Sequence, residues 1–149
     1  MIARAAAAGQ GMMNRVITLE LAQRLYGAGL SWEPAPGDRF VVPNRDMDDD
    51  VFVVSDMVVD VHDLPTGRVI GFNGTVEWAL DSISATDVVW LPREEQLRGA
   101  LGAAFVRLEA VTLGWVVVTL IDPSVGEERH ADVDAERAYA RALLRVLAR

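Results

Sequence analysis

The sequence contains no cysteine and no lysine, and these two absences remove several kinds of chemistry. Without cysteine the chain has neither a disulfide nor a thiolate ligand for a metal ion. All 14 basic residues are arginine, and only two histidines are present. The usual catalytic nucleophiles and bases are therefore nearly absent.

Short motifs that mark common enzyme classes are also missing. The sequence has no G-x-x-x-x-G-K-[ST] phosphate-binding loop, no G-x-G-x-x-G, no G-x-S-x-G and no H-E-x-x-H. "GFNG" supplies two glycines but neither a following helix nor a lysine. We expect no cofactor, and the sequence favours a non-enzymatic protein, although a hydrolase that uses only carboxylates stays open.

Long apolar runs are lacking as well, and none approaches the roughly 20 residues that cross a bilayer. The net charge of −8 works against binding to nucleic acid or to an anionic membrane. We therefore expect a cytoplasmic protein with no nucleic-acid or membrane partner.

A chain of 149 residues is long enough to bury one real hydrophobic core. Residues 1–15 include four consecutive alanines and a second possible start at Met12 and Met13, and we expect a disordered or artefactual extension there. Residues 16–149 are predicted to form a single α+β domain.

Apolar spacing predicts N-terminal, middle and C-terminal helices. The first is expected from Thr18 to Ala28, with Thr18 as its N-cap. Pro92 suits the first turn of the middle helix, and Gly102 suits its end. The last helix is predicted near Val133–Leu147. Its predicted buried stripe consists of Tyr139, Ala142, Leu143, Val146 and Leu147.

Strand patterns predict a mainly antiparallel sheet of about five to six strands. "DRFVVP" and "VFVV" are expected to pair, "MVVDVHD", "RVIGFNG" and "VVWL" to form further strands, and "TVEWALDSISATD" is ambiguous. "FVRLEAV-TLG-WVVVTLID" is the clearest hairpin, and its second strand is predicted to be covered on both faces. "DPSVGEERHAD" predicts a polar loop.

The heptapeptide "NRDMDDD" at residues 44–50 raises the question of a cation site. Asp46, Asp48 and Asp50 fit the beginning of a calcium-binding loop. That loop needs glycine at its sixth position and glutamate at its twelfth, where this sequence has Val51 and Met57. We interpret the segment as a solvated hairpin turn, with a looser cation site as the alternative.

A second candidate site lies in "DVHD", where Asp60 and His62 alternate on one strand. A histidine beside carboxylates can bind a metal ion or move protons. Two ligands do not make a site, however, and a third would have to come from elsewhere in the chain. A polar outer strand face is the alternative.

Arginines and tryptophans supply the candidate partner-binding residues. Arg137, Arg141 and Arg145 lie four apart on the last helix, where they can meet an acidic partner or remain solvated. Trp32 and Trp78 are large aromatics that can anchor a core or an interface.

The strings "ITLELAQRLYGAGLSWEPAPGDRFVVP", "DDDVFVVSDM", "VIGFNGTVEWALD" and "WLPREEQLRGALG" carry a resemblance that extends over nearly the whole chain from about Val16. They resemble a group of small uncharacterised proteins of high-GC Gram-positive bacteria. Members are often labelled "pilus assembly protein", a label that implies an ATPase phosphate-binding loop, which this sequence lacks. The resemblance implies a compact intracellular domain and supplies no catalytic residues.

These observations favour a non-enzymatic domain that binds a protein partner or a second copy of itself, with a small-molecule ligand less favoured. One alternative is an enzyme, ligand-binding or metal-binding protein that uses Asp60 and His62 with acidic neighbours. Another is an immunity-type or regulatory partner of a neighbouring gene product.

Overall fold

The computed structural model describes residues 3–4, 17–43, 51–53, 59–65, 67–72, 82–84 and 88–149. These residues belong to two compact units. The strand unit contains residues 3–4 and the described part of residues 32–91, and the helical unit contains residues 17–31 and 92–149.

The strand unit consists of two antiparallel sheets. The first has the order β1-β3-β2-β7, and its strands are β1 (Ala3–Arg4), β2 (Arg39–Val41), β3 (Phe52–Val53) and β7 (Val89–Leu91). The second has the order β4-β5-β6, and its strands are β4 (Val59–Leu64), β5 (Gly67–Phe72) and β6 (Ser82–Ser84).

The predicted pairing on either side of the acidic heptapeptide is confirmed. β2 and β3 are antiparallel, with Phe40 opposite Phe52, and β2 also pairs with β7, with Phe40 opposite Trp90. Phe40 is buried, and its ring lies 5.5 Å from that of Phe52 between centroids. Aromatic cross-strand pairs of this kind stabilise a sheet and fix its register.

The helical unit combines three helices with a three-stranded sheet of order β10-β9-β8. Its elements are α1 (Leu19–Gly27), α2 (Glu94–Leu101), a 3₁₀ turn (Gly102–Ala104), β8 (Phe105–Val111), β9 (Gly114–Leu120), β10 (Glu127–Asp132) and α3 (Ala135–Leu147).

Local capping explains where these helices begin and end. The Thr18 hydroxyl accepts a hydrogen bond from the Leu21 N–H, and the Asp134 carboxylate accepts one from the Arg137 N–H. Each cap satisfies a backbone donor that the first helical turn leaves without a partner. At the end of α2, Gly102 adopts a φ of +53°, which favours glycine. The predicted N-cap and the predicted stop are both confirmed.

α3 is the central element of the helical unit, since it packs against β9, β10, α1 and α2. The predicted stripe is confirmed for Tyr139, Ala142 and Leu143, which are almost fully buried. Burying a side chain of the size of Leu143 contributes about 1.5–3 kcal/mol. The other large residues of this core are Leu21, Leu25, Leu97, Leu101 and Val117.

The α+β class and the three helices are thus confirmed, but the strands do not form one sheet of five to six. In the described residues they fall into three antiparallel sheets of four, three and three strands. A hydrophobic pattern identifies strands but not their neighbours, because pairing is set by contacts distant in sequence. The single domain over residues 16–149 and the extension over residues 1–15 stay predictions, although Ala3–Arg4 pairs with β3.

The prediction of a loop over "DPSVGEERHAD" is wrong for its second half. Residues 127–132 form β10, which pairs with β9 along its full length. The segment has no apolar alternation because its inner and outer positions are both mainly charged. Ion pairs with arginines on both sides satisfy these charges, as described below.

Candidate interaction surface

Large apolar side chains are exposed at one end of the β8–β9–β10 sheet. Leu113, in the turn between β8 and β9, is 84 % exposed, and Val133, directly after β10, is 68 % exposed. Val111 and Trp115, on either side of the same turn, are also partly exposed. We refer to Val111, Leu113, Trp115 and Val133 as the hairpin-end patch. By strand alternation Val111 lies on the face of Val116 and Trp115 on the face of Val117, so these side chains share one end of the sheet and flank both of its faces. Exposed apolar groups at one end of an element are typical of interaction sites.

Close backbone packing holds this end of the sheet together. Gly114 has a φ of +154°, and a Cβ built on it would lie 2.3 Å from the Asp132 carbonyl oxygen. The same Cβ would lie 2.7 Å from the Cα of Val133. Only glycine allows the start of β9 to approach the end of β10 so closely. The patch is therefore carried by a tightly packed support.

Asp132 joins the end of β10 to α3. Its carboxylate lies 3.0 Å from Arg137 Nε and accepts a hydrogen bond of 2.8 Å from Arg141 Nε. Burial alone would raise the pKa of Asp132, but the hydrogen bonds from Arg141 and the Asp134 N–H, together with both arginine charges, lower it. The carboxylate thus stays ionised and fixes the loop that precedes α3.

Arg145 of α3 and Arg149, which follows the helix, also bind within the chain. Arg145 forms an ion pair of 2.9 Å with Glu128, and the Arg149 guanidinium donates to the carbonyl of Ile121. Glu128 and Asp132 are four residues apart on β10 and face α3. The predicted arginine stripe therefore connects the last helix to an edge strand.

His130 lies between Glu128 and Asp132 on the same face of β10. Its Nε2 is 3.0 Å from the hydroxyl of Thr119, which is fully buried. Burial lowers the pKa of His130; the charge of Glu128 opposes this shift, and that of Arg145 adds to it. A neutral imidazole is therefore favoured, and it satisfies the buried Thr119 hydroxyl.

The opposite face of the sheet carries four alternating charges, which we call the charged row: Arg107 and Glu109 on β8, and Glu127 and Arg129 on β10. Arg107 donates two hydrogen bonds of 2.8 Å to Glu127, and Arg129 donates one of 2.6 Å to Glu109. Hydrogen bonds from Arg129 and Arg107 lower the pKa of Glu109, and one from Arg107 lowers the pKa of Glu127.

The charged row also covers apolar surface. Because β9 lies between β8 and β10, both ion pairs pass over β9, the pair of Arg107 and Glu127 between Val118 and Leu120 and the pair of Arg129 and Glu109 between Val118 and Val116. Val116 and Val118 are buried on this face. Long arginine side chains shield apolar groups with their aliphatic parts. The prediction that this strand is covered on both faces is confirmed for residues 116–119, which are all buried, with α3 on one face and the charged row over the other, whereas Trp115 and Leu120 at the ends of the strand are partly exposed.

In the strand unit, Trp32 belongs to an aromatic cluster. Its ring is stacked on Trp90 at 6.2 Å between centroids and lies 6.0 Å from Phe40. Its Nε1 donates a hydrogen bond of 2.8 Å to Asp38, which is buried and also accepts from the Ala35 N–H. The tryptophan is half-buried, so most of its ring anchors the unit.

Several predicted site residues lie outside the described part of the chain. Asp46, Asp48, Asp50 and Trp78 fall in residues 44–50 and 73–81, which the structure does not describe. Asp60 and His62 are described as positions of β4 only, opposite Gly71 and Val69 of β5. The cation-site and acid–base predictions at these residues therefore stay predictions.

Within the described residues, no group of three or more histidine, aspartate or glutamate side chains is arranged to hold a metal ion. No helix in the described ranges combines the length and the apolar character that a bilayer crossing requires.

Comparison of the chain with protein-family models, with curated proteins and with solved structures found no match. The function is therefore argued from the residues themselves.

Sequence reasoning missed the exposed end of the hairpin and the acidic partners of the arginines. The sequence predicts the "TLG" turn but does not by itself mark Leu113 as a binding residue. A leucine next to glycine in a tight turn has no core to enter, and that signal was available. Glu128 and Asp132, four apart like the arginines, were a second signal, hidden by the interpretation of β10 as a loop.

Proposed function

We propose that the protein is a non-enzymatic binding domain that holds a protein partner against the hairpin-end patch. The observation that carries the proposal is the exposure of four large apolar side chains at one end of a single sheet. Trp115 gives this patch the kind of aromatic group that supplies much of the energy of protein interfaces.

The support beneath the patch favours binding. Gly114 packs directly on the backbone of Asp132 and Val133, and Asp132 is itself held by two arginines. A surface fixed in this way loses little conformational freedom on association, which favours affinity. The alternating charges of the adjoining row can then contribute to partner selection and orientation.

The arginines of α3 fit this proposal less directly. Arg137, Arg141 and Arg145 already neutralise Asp132 and Glu128, so an acidic partner would have to compete with ion pairs inside the chain. Their first role is to position the strand that carries Val133.

Two expectations from the sequence belong to the same proposal. The chain would act in the cytoplasm, as its acidic composition suggests, and it would belong to the group of small proteins of high-GC Gram-positive bacteria that it resembles. A regulatory role toward its partner is the form of activity that a binding domain of this size suggests.

The proposal is tested by photo-crosslinking from two well-exposed positions. A photoreactive amino acid replaces Leu113 in one variant and Val125 in the other; Val125 is 69 % exposed, in the turn before β10 at the opposite end of the sheet. In cells of the native host we expect a discrete crosslinked protein from position 113 and none from position 125.

The recovered partner is then titrated against three chains. Leu113→Glu should weaken its binding by at least about tenfold, because a charge would be buried against an apolar surface. Val125→Glu should bind like the unchanged chain. Equal crosslinking from both positions, or equal affinity of both glutamate variants, would contradict the proposal.

A further inference from the structure

The outer edge of β8 is open among the described residues. In the order β10-β9-β8 the strand pairs with β9 on one side only. Val106 and Val111 are partly exposed, and the charged side chains between them reach solvent. An open edge presents backbone donors and acceptors to which another strand can add.

The sequence of this edge is complementary to itself. Two identical strands that pair in an antiparallel way are related by a two-fold axis. In one continuous sheet, residues that lie opposite each other point to the same face, so opposite positions differ by an even number of residues. The axis must therefore pass through a residue and not between two residues. If the axis passes through Leu108, Arg107 of each copy lies opposite Glu109 of the other. Two opposite-charge pairs can then form across the interface, beside the ion pairs that Arg107 and Glu109 already make with each other, with Glu127 and with Arg129 inside each chain.

The neighbouring registers are disfavoured. An axis at residue 107 places Arg107 opposite its own copy, and an axis at residue 109 does the same for Glu109. Like charges directly opposite each other destabilise a strand pair. Charge therefore selects the register centred on Leu108, in which Leu108 meets Leu108 of the second copy.

The other edge of the sheet is less suited to self-pairing. For β10, an axis at residue 128 places Glu127 opposite Arg129 twice, but it also places Glu128 opposite its own copy. An axis at residue 129 places Arg129 opposite its own copy, and an axis at residue 130 places Glu128 opposite Asp132 twice. Charge therefore favours β8 over β10 for self-pairing, because only the β8 register centred on Leu108 brings opposite charges together with an apolar residue, and no like charge, on the axis.

We propose that two copies of this chain associate by antiparallel pairing of β8 with β8, centred on Leu108, so that two three-stranded sheets become one sheet of six strands. The charged row of each copy would continue into that of the other, because Arg107 and Glu109 remain 43 % and 28 % exposed in their side chains. The bulge between Phe105 and Arg107 limits the length of regular pairing, which makes the dimer weak and concentration-dependent.

The register is tested by reversing the charge of Arg107 or of Glu109 and measuring the monomer–dimer equilibrium by sedimentation velocity. Arg107→Glu would place glutamates opposite glutamates, and Glu109→Arg would place arginines opposite arginines. Each variant alone should dimerise at least about tenfold more weakly than the unchanged chain. An equimolar mixture of the two should form a heterodimer, since each strand then meets opposite charges. Glu127→Arg, which disturbs the same charged row from β10, should leave dimerisation unchanged.

A unique cysteine provides a second test that does not depend on charge. The chain has no cysteine, so Leu108→Cys introduces one thiol. Directly opposite strand residues lie close enough for a disulfide, and mild oxidation should link two copies through it. Val125→Cys, in an exposed turn away from the edge, should remain unlinked. Circular dichroism and the melting temperature of each variant confirm that it is folded.

The possible results separate this inference from the proposed function. A chain that stays monomeric at all accessible concentrations, or a dimer that neither charge reversal weakens, would overturn pairing through β8. Neither result touches the hairpin-end patch, which the Leu113→Glu titration tests separately. Leu113→Glu should itself leave the β8 dimer intact.

Discussion

Gly114→Ala is the substitution for which the structure gives the sharpest expectation. A methyl group at this position would lie 2.3 Å from the Asp132 carbonyl oxygen, whereas ordinary contacts begin at 3.4 Å. The end of β10 would have to move by about 1 Å, and the atoms that obstruct the methyl group are backbone atoms that cannot rotate away. An alanine at a φ of +154° is strained in addition.

The expected loss can be divided between these two causes. Backbone strain of this kind costs about 1–3 kcal/mol, and forcing atoms into a packed site costs about 1–3 kcal/mol. We expect Gly114→Ala to lower the free energy of unfolding by about 3 kcal/mol. Because the clash falls on Asp132 and Val133, binding at the hairpin-end patch should weaken as well.

Alanine substitutions at two other glycines separate the cost of backbone strain from the cost of the steric clash. Gly126 has a φ of +93° with no atom within 4 Å of the added carbon, so Gly126→Ala reports strain alone, about 1–2 kcal/mol. Gly99 lies inside α2 with equally open surroundings, and Gly99→Ala should stabilise the chain by about 0.5–1 kcal/mol.

The assay is urea denaturation of all four chains at one pH, followed by circular dichroism. The order of stability should be Gly99→Ala, the unchanged chain, Gly126→Ala and then Gly114→Ala. If Gly114→Ala were no less stable than Gly126→Ala, the close approach of β9 to β10 would be refuted, and with it the rigid support assigned to the patch.

Two further expectations concern buried polar groups. Since burial lowers the pKa of His130, the unfolded chain binds more protons there, and the free energy of unfolding should fall as the pH drops below about 6.5. When the midpoint of urea denaturation is plotted against pH, His130→Gln should flatten this acidic part of the curve. An unchanged slope would contradict the role given to His130. Asp38→Ala should cost about 3 kcal/mol in the same assay, because it leaves the donors of Trp32 and Ala35 without their acceptor. Trp32→Phe, which removes one donor and keeps an aromatic ring, should cost less than half as much, and equal losses would argue against the hydrogen bonds as the cause.

The elements that could be predicted from sequence are those whose signal is local. Thr18 caps α1, Gly102 ends α2 and Tyr139 lies on the buried face of α3, because capping, positive φ and helical periodicity depend on a few neighbouring residues. The hairpin of β8 and β9 belongs to the same class, since a short turn separates two strongly patterned strands.

Elements that are stabilised by residues far away in the chain could not be predicted from local sequence patterns. β10 has charges on both faces, so no apolar alternation marks it as a strand. It is a strand because its backbone pairs with β9 along its full length, and its charges are satisfied by Arg107 from across the sheet and by Arg141 from α3, which follows it in the chain. Propensity reasoning assigns charged segments to loops because it assumes that their charges face water.

The arginine stripe of α3 shows how this error affects a functional interpretation. Taken alone, arginines four apart on a helix suggest a surface waiting for an acidic partner. The acids are already present, at Glu128 and Asp132, four apart on the preceding strand. An external acid would therefore gain little at these arginines, because it must compete with ion pairs that already exist within the chain. Leu113 differs from these arginines in this respect. Its side chain is exposed, so a partner that covers it need not displace a contact within the chain, and burial of its apolar surface is favourable. For this reason the hairpin end, and not the charged helix, is where we expect a partner to bind.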